Sequence, residues 1–372
     1  MFIQVDRTGT VAKLTEMLQE VTRHENIKGV LILAGDANNF TPAQVDQDLK
    51  NMPVPVFGGI FPEIIYGQKK LIHGTIVAGL SVEPNVQIIS HLSDMSADYD
   101  ELIDEKIPDL GSTKTMLIMV DGLAKRIGSL IDSLFNVFGL EVNYIGGGAG
   151  SLSFQQKPCL FTNQGLIQDS AVLALLDMNS GIGVNHGWST VSGPFKVTEV
   201  DRNIIKTLDY RPAFEVYREV VEKASGQVFT GDNFFNIAKG YPFGINKIGS
   251  EKIVRDPITL GENGSLICVG EVPKEGYVDI LSGNVSSLVT AAGKALTRGQ
   301  QAFKGTTPQT TFFIDCISRV LFLEKDFDQE LKAVSTENMP LIGALTLGEI
   351  ANSGKDYLEF YNKTAVIGVL EG

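Results

Sequence analysis

Continuous apolar runs recur along this chain in a fixed order. Val30-Leu31-Ile32-Leu33-Ala34, Met116-Leu117-Ile118-Met119-Val120 and Phe312-Phe313-Ile314 lack the apolar–polar alternation of a half-exposed strand. Such runs mark strands buried on both faces. Each leads into a helix-like stretch, then into a second apolar run broken by small residues, then into a third. The breaks are Pro55-Val56-Phe57-Gly58-Gly59, Tyr144-Ile145-Gly146-Gly147-Gly148-Ala149-Gly150 and Pro340-Leu341-Ile342-Gly343-Ala344. This order predicts three related βαββ units, two in the first half and one in the second.

Local signals place the elements. In the first unit, Asp36-Ala37-Asn38-Asn39 is turn chemistry. Thr41 caps a helix that Pro42 opens and that ends before Pro53. Val54 to Phe57 follow as a strand that Gly58-Gly59 would end, and Ile72 to Leu80 as another. In the second unit a helix from Arg126 to Phe138 carries Ile127, Leu130, Ile131, Leu134, Phe135 and Phe138 on one stripe. Leu140 to Ile145 and Ala171 to Leu176 are its later strands, with Gly146 to Gly150 as a break between them. The third unit has its helix from Asp326 to Thr336, its break at Pro340 to Gly343, and closes with Val366 to Leu370.

Between the second and third units the pattern changes. Gly181 to Leu208 reads as a series of hairpins. A helix from Phe214 to Ala224 follows, then short strands near Tyr241 to Ile245, Lys252 to Arg255 and Ser265 to Gly270. A further helix spans Asn284 to Ala302. The expected fold is mixed α/β (α+β), with repeated βαββ units forming sheets flanked by helices. Two related domains are expected, 1–208 and 209–372.

Composition narrows the function classes. The chain has 372 residues, 43% of them hydrophobic, ample for a large core. Its net charge of −13 excludes a nucleic-acid partner, whose phosphates demand clustered Lys and Arg. The N-terminus has no basic flank before an apolar stretch, and no apolar run reaches the roughly 20 residues that cross a bilayer. A cytoplasmic protein without membrane insertion is expected. Cys159, Cys268 and Cys316 are far apart, which argues against a disulfide framework, and four scattered histidines argue against structural zinc.

Several residues carry candidate chemistry. The first strand of each unit ends on an acid: Asp36, Asp121 and Asp315. Asp suits a turn after a strand, and it could equally ring a ligand cleft at the carboxyl ends of the strands. The run Gly146 to Gly150 lacks both the dinucleotide fingerprint and a Gly-Lys-Ser/Thr, which points to close backbone approach rather than a phosphate cradle. Cys316 lies beside Asp315 with Arg319 three residues on. It is a packing residue or, more weakly, a nucleophile whose base the fold would have to supply. His186, next to Trp188, suits a structural hydrogen bond, a ligand carboxylate or a haem edge. Arg255 beside Asp256, and Arg319 with Glu349, could form buried ion pairs or hold an anion. With Asn362, these outline either a polar pocket or a satisfied structural network. No convincing catalytic constellation is present.

The chain resembles the FIST proteins, which combine an N-terminal and a C-terminal FIST domain. The stretches that carry the likeness are Ile145 to Gly150, Asp169 to Ala174, Asn185-His186-Gly187-Trp188, Gly193 to Thr198 and Arg211 to Tyr217. They continue with Val254-Arg255-Asp256-Pro257, Asp315-Cys316 with Arg319, Leu347 to Ile350, and Tyr361-Asn362-Lys363-Thr364. Their order is right and they span nearly the whole chain, loosely in the first unit. The resemblance implies a bacterial intracellular sensory protein that binds a small molecule, an amino acid or similar. It would signal to a separate histidine kinase, chemoreceptor or cyclic-di-GMP enzyme. Some relatives bind haem, sense nitric oxide and regulate a partner kinase. In that reading His186 would be the axial ligand.

Overall fold

The computed structural model describes residues 1–247, 251–352 and 357–372. Three units build three sheets in the same way. In the first, Gly29–Gly35 leads through the helix Pro42–Lys50 to the parallel strand Val56–Phe61, and Thr75–Leu80 returns antiparallel on the other side. Thr115–Asp121, the helix Ile127–Phe138, Asn143–Ala149 and Ser170–Leu176 repeat the arrangement. So do Pro308–Cys316, Leu341–Thr346 and Ala365–Glu371. The third crossover departs from the single helix expected from Asp326 to Thr336. It holds two shorter helices, Ile317–Leu323 and Phe327–Ala333. The capped helix after Thr41 forms as read, with a full capping box between Thr41 and Gln44.

Each sheet is completed by a neighbour. The hairpin Glu63–Tyr66 with Lys69–Leu71, from the first unit, pairs onto Leu341–Thr346 of the third. Leu160–Thr162 with Gly165–Ile167, from the second, pairs onto Val56–Phe61 of the first. Glu349–Ala351 with Glu359–Tyr361, from the third, pairs onto Asn143–Ala149 of the second. The exchange is cyclic, so the three units form a closed ring of interlocked sheets. Phe2–Asp6, Asn85–Ser90 and Ser180–Asn185 cover the opposite edges. This interlocking explains the continuous apolar runs: the central strands are buried along their whole length.

The hairpin region builds a fourth sheet. Ser189–Asp201, Tyr277–Ser282, Phe243–Ile245, Ile253–Leu260, Leu266–Val269 and Ile204–Leu208 pair in that order, and the last returns to the first as a barrel. The position near Leu208 where the sequence divides lies within this barrel. The helix Ala213–Ser225 packs beside it. No described helix is long and apolar enough to cross a membrane.

Two sequence readings change. The small-residue breaks do not end strands or mark turns. Gly58, Gly146 and Gly343 lie inside strands, opposite Ile32, Ile118 and Phe313 of the parallel partner. A Cβ at these glycines would sit 1.9, 1.7 and 1.8 Å from the carbonyl oxygens of those residues. The repeat therefore encodes close backbone approach. The three acids are also not equivalent. Counted from the glycine partners, Asp121 matches Gly35 and Cys316, Asp36 matches Gly122, and Asp315 matches Val120 and Ala34. Asp121 and Asp315 lie inside their strands one residue out of step, so they face opposite sides, whereas Asp36 lies past its strand in the turn.

Candidate functional site

The residues singled out in the sequence fall into three places. Asp36 and Asp121 hold one loop. Asp36 accepts from Ser151 Oγ at 2.6 Å and pairs with Lys157 at 2.5 Å. Asp121 accepts from the amides of Leu123 and Asp169 and from Gln156 Nε2 at 2.8 Å. Both therefore anchor the segment that follows the glycine-rich strand, as turn acids do.

The second place is a buried polar network in the third unit. Arg319 is fully buried and lies one helical turn beyond Asp315, with Nε 3.0 Å from its Oδ1. Nε donates to Glu330 at 3.1 Å, and the second guanidinium nitrogen makes a close ion pair with the same carboxylate. The sequence pairing of Arg319 with Glu349 is thus replaced by Asp315 and Glu330. Glu349 instead accepts from Thr346 Oγ1 at 3.0 Å and from the Thr364 amide at 3.3 Å. Burial pushes its carboxyl up to about 8, against the hydrogen bonds that favour ionisation. Arg255 and Asp256 do not pair with each other. As neighbours on one strand they face opposite ways. Arg255 donates to the carbonyls of Glu271 and Phe360 at 2.8 and 3.0 Å, and more distantly to Asn362 Oδ1. Lys363 lies 3.1 Å from Asp256 and donates to the Lys239 carbonyl. Burial and Glu349 push the Cys316 thiol well above its ordinary value, so it stays protonated at neutral pH.

The third place is a cavity of about 750 Å³ around His186. The chain leaves the edge strand Ser180–Asn185, turns at Gly187 and enters the barrel at Ser189. Gly187 has φ +79°, and a Cβ there would meet the Ser287 carbonyl oxygen at 2.6 Å. This tight turn sets His186 and Trp188 against the N-terminal turns of the long helix Val285–Ala302. That helix begins at Asn284, whose side chain accepts from the Ser287 amide at 2.9 Å while Ser287 Oγ accepts from the Asn284 amide. Thr290, Lys294 and Arg298 line the cavity from one helical face, and Glu251 and Lys252 line it from the barrel. Arg298 donates to Glu251 and to the Val184 carbonyl, and Lys252 pairs closely with Asp279.

His186 is 8% exposed, and its Nδ1 accepts from the Trp188 amide at 2.9 Å. Nε2 therefore carries the ring proton. It lies 3.9 Å from Glu251 Oε2, beyond hydrogen-bond range, and that carboxylate oxygen is buried with no hydrogen-bond partner among the described residues. Burial, with Arg319, Lys252 and Arg298 nearby, pushes the imidazole down to about 4, so it is neutral at physiological pH. These residues do not fit haem. Iron needs a ring nitrogen lone pair, and the one at Nδ1 is used by the Trp188 amide. The lining is also mostly polar: Trp188 is its one large flat side chain, with Ala291 beside Lys, Arg, Glu, Asn, Ser and Thr, so it offers no opposed pair of apolar walls for a haem. Among the described residues no cluster of His, Cys, Asp and Glu could hold a metal ion.

The network and the cavity touch through backbone. Arg319 donates to the carbonyl of His186 at 2.7 Å and to that of Leu288 at 3.1 Å. The sequence did not single out Glu251, Lys252, Thr290, Lys294 or Arg298. The four-residue spacing of the last three was the available signal. Nor did it mark Glu330, whose partner lies 11 residues away across two helices.

A ring of interlocked sheets with a closed barrel, and a polar cavity at their junction, defines a binding architecture. The chain belongs to the FIST family: the FIST N domain model matches residues 30–211 and the FIST C domain model matches residues 213–352. FIST domains are sensory domains of signalling proteins. The wall from Asn185 to Thr190 lies in the N domain, and the walls from Glu251 to Arg298 lie in the C domain. A comparison with curated proteins returned no match.

Proposed function

We propose that this protein is an intracellular sensor that binds a small molecule between its two FIST domains, in the cavity at His186. It relays occupancy to a separate signalling protein, a histidine kinase, a chemoreceptor or a cyclic-di-GMP enzyme. The observation that carries this reading is the buried Glu251 Oε2, without a hydrogen-bond partner among the described residues and 3.9 Å from His186 Nε2, at a cavity of ligand size. A buried polar atom without a partner is costly, so a site that leaves one beside a cavity is matched to a group that arrives from outside. Ligand in this cavity would touch both domains and the long helix at once, and a ligand shifts a conformational equilibrium only by binding one state better. The protein does no chemistry on its ligand in this reading.

Native mass spectrometry after incubation with cell extract tests the reading. A retained small-molecule mass is expected on the wild-type protein and its loss on Thr290→Trp, which fills the cavity from an exposed helical position. A ligand kept by Thr290→Trp, or no ligand on the wild type, overturns it.

A further inference from the structure

The cavity's charge and hydrogen-bond pattern select a ligand class, given that it is the ligand site proposed above. The protein as a whole is strongly acidic, at −13, yet Lys252, Lys294 and Arg298 line this cavity against one carboxylate, Glu251. Lys252 and Arg298 are held by Asp279 and Glu251, whereas Lys294 has no ion-pair partner among the described residues. The long helix points its N-terminus at the same space. Asn284 caps only the Ser287 amide, which leaves the amides of Val285 and Ser286 without an intrahelical acceptor. Eighteen residues of aligned peptide dipoles favour negative charge at that end.

A second requirement comes from His186 and Glu251. Nε2–H can only donate and ionised Oε2 can only accept. At 3.9 Å apart they leave room for one oxygen at about 2.8 Å from each. That oxygen must accept from His186 and donate to Glu251, which a hydroxyl does. An ammonium cannot, because it has no lone pair to offer the imidazole. We infer that the cavity binds a small hydroxylated anion, its charge on the helix N-terminus and Lys294 and a hydroxyl bridging His186 Nε2 and Glu251 Oε2. A hydroxy acid and a sugar phosphate share this chemistry.

Calorimetric titration of the full chain with four probes separates the outcomes. Lactate, alanine and propionate are near-isosteric and present a hydroxyl, an ammonium and a hydrogen; glycerol 3-phosphate supplies the phosphate alternative. Lactate or glycerol 3-phosphate is expected to bind at least about ten-fold tighter than alanine and propionate. Whichever of the two is tighter names the anionic group. Lys294→Glu, an exposed substitution, is expected to weaken that probe about ten-fold or more. Glu251→Gln is expected to reduce the preference over propionate. Alanine or propionate binding as tightly, unaltered binding in Lys294→Glu, or no binding by either hydroxylated probe overturns the class. A cationic or neutral molecule displaced from the wild type by Thr290→Trp would overturn it too, while leaving the sensor reading standing.

Discussion

The guanidinium of Arg319 donates to the carbonyl oxygen of His186 across 2.7 Å. One cation thus holds the loop that floors the cavity, and by its bond to Leu288 it also holds the helix that walls it. It is the cation for two fully buried carboxyls, Asp315 and Glu330, and burial holds both above their ordinary range. Movement of the helix against the His186 loop must therefore rearrange this guanidinium.

Removing that cation should be among the most damaging single changes in the chain. Arg319→Met leaves Asp315 and Glu330 buried without their cation and takes a donor from three backbone carbonyls. A loss of about 3–5 kcal/mol is expected. Urea unfolding midpoints would measure it. Arg319→Met combined with Glu330→Met should be less destabilised than the single variant, because an apolar pair replaces an orphaned charge. Equal or greater damage in the double variant would mean that the carbonyl contacts, not the ion pair, dominate.

The glycines of the repeat make a second prediction. Alanine at Gly58, Gly146 or Gly343 forces a Cβ into a carbonyl of the adjacent strand. Each substitution should cost about 1–3 kcal/mol or prevent folding. Gly128 is the control: it lies in the helix Ile127–Phe138, and a Cβ there meets nothing closer than 3.9 Å. Gly128→Ala should stabilise by roughly 0.5–1 kcal/mol. Thermal denaturation of the four variants side by side distinguishes a shared backbone constraint from mere intolerance of change.

Stability should fall as the solution is made alkaline. Burial holds the Glu349 carboxyl at about 8 in the folded chain against an ordinary 4.5. The fold thus favours the protonated form, and this contribution is complete below pH 4.5 and lost as pH rises through about 8. Burial shifts Asp256 in the same direction despite Lys363. His186 acts at the other end: its depressed value means that stability falls as pH drops from 6.5 towards 4. Glu349→Gln should flatten the decline in urea midpoints that runs from about pH 4.5 to about pH 8 and leave the His186 contribution below pH 6.5 in place. An unaltered alkaline slope would show that Glu349 titrates normally.

Periodicity alone revealed the three units, their buried strands, the capped helix after Thr41 and the amphipathic helix that ends at Phe138. These depend on local turn chemistry and on which faces must be apolar, and both are written residue by residue. The chain also carried His186, Arg319 and Glu349 as residues of interest, the first for its place beside Trp188 and the other two as a possible buried ion pair. It could not say which partner. Arg319 lies 30 residues from Glu349, which would have paired it plausibly, and 11 from Glu330, which does.

Only the tertiary structure decided how the units close. Each hairpin completes another unit's sheet, and no local signal specifies which edge a short strand will join, since every free edge offers the same backbone groups. Register was equally hidden. The acids Asp36, Asp121 and Asp315 look equivalent in sequence, but Asp121 and Asp315 are offset by one residue, which changes the face each side chain occupies, and Asp36 lies beyond its strand. The cavity arises the same way. His186 lies some 65 residues from Glu251 and about 100 from the start of the long helix; the barrel carries the first to it, and packing of the helix on Ser180–Asn185 brings the second. The sequence determined which elements exist and where polar groups are buried. Long-range pairing, whose partners are chosen by global packing, determined which of those groups meet.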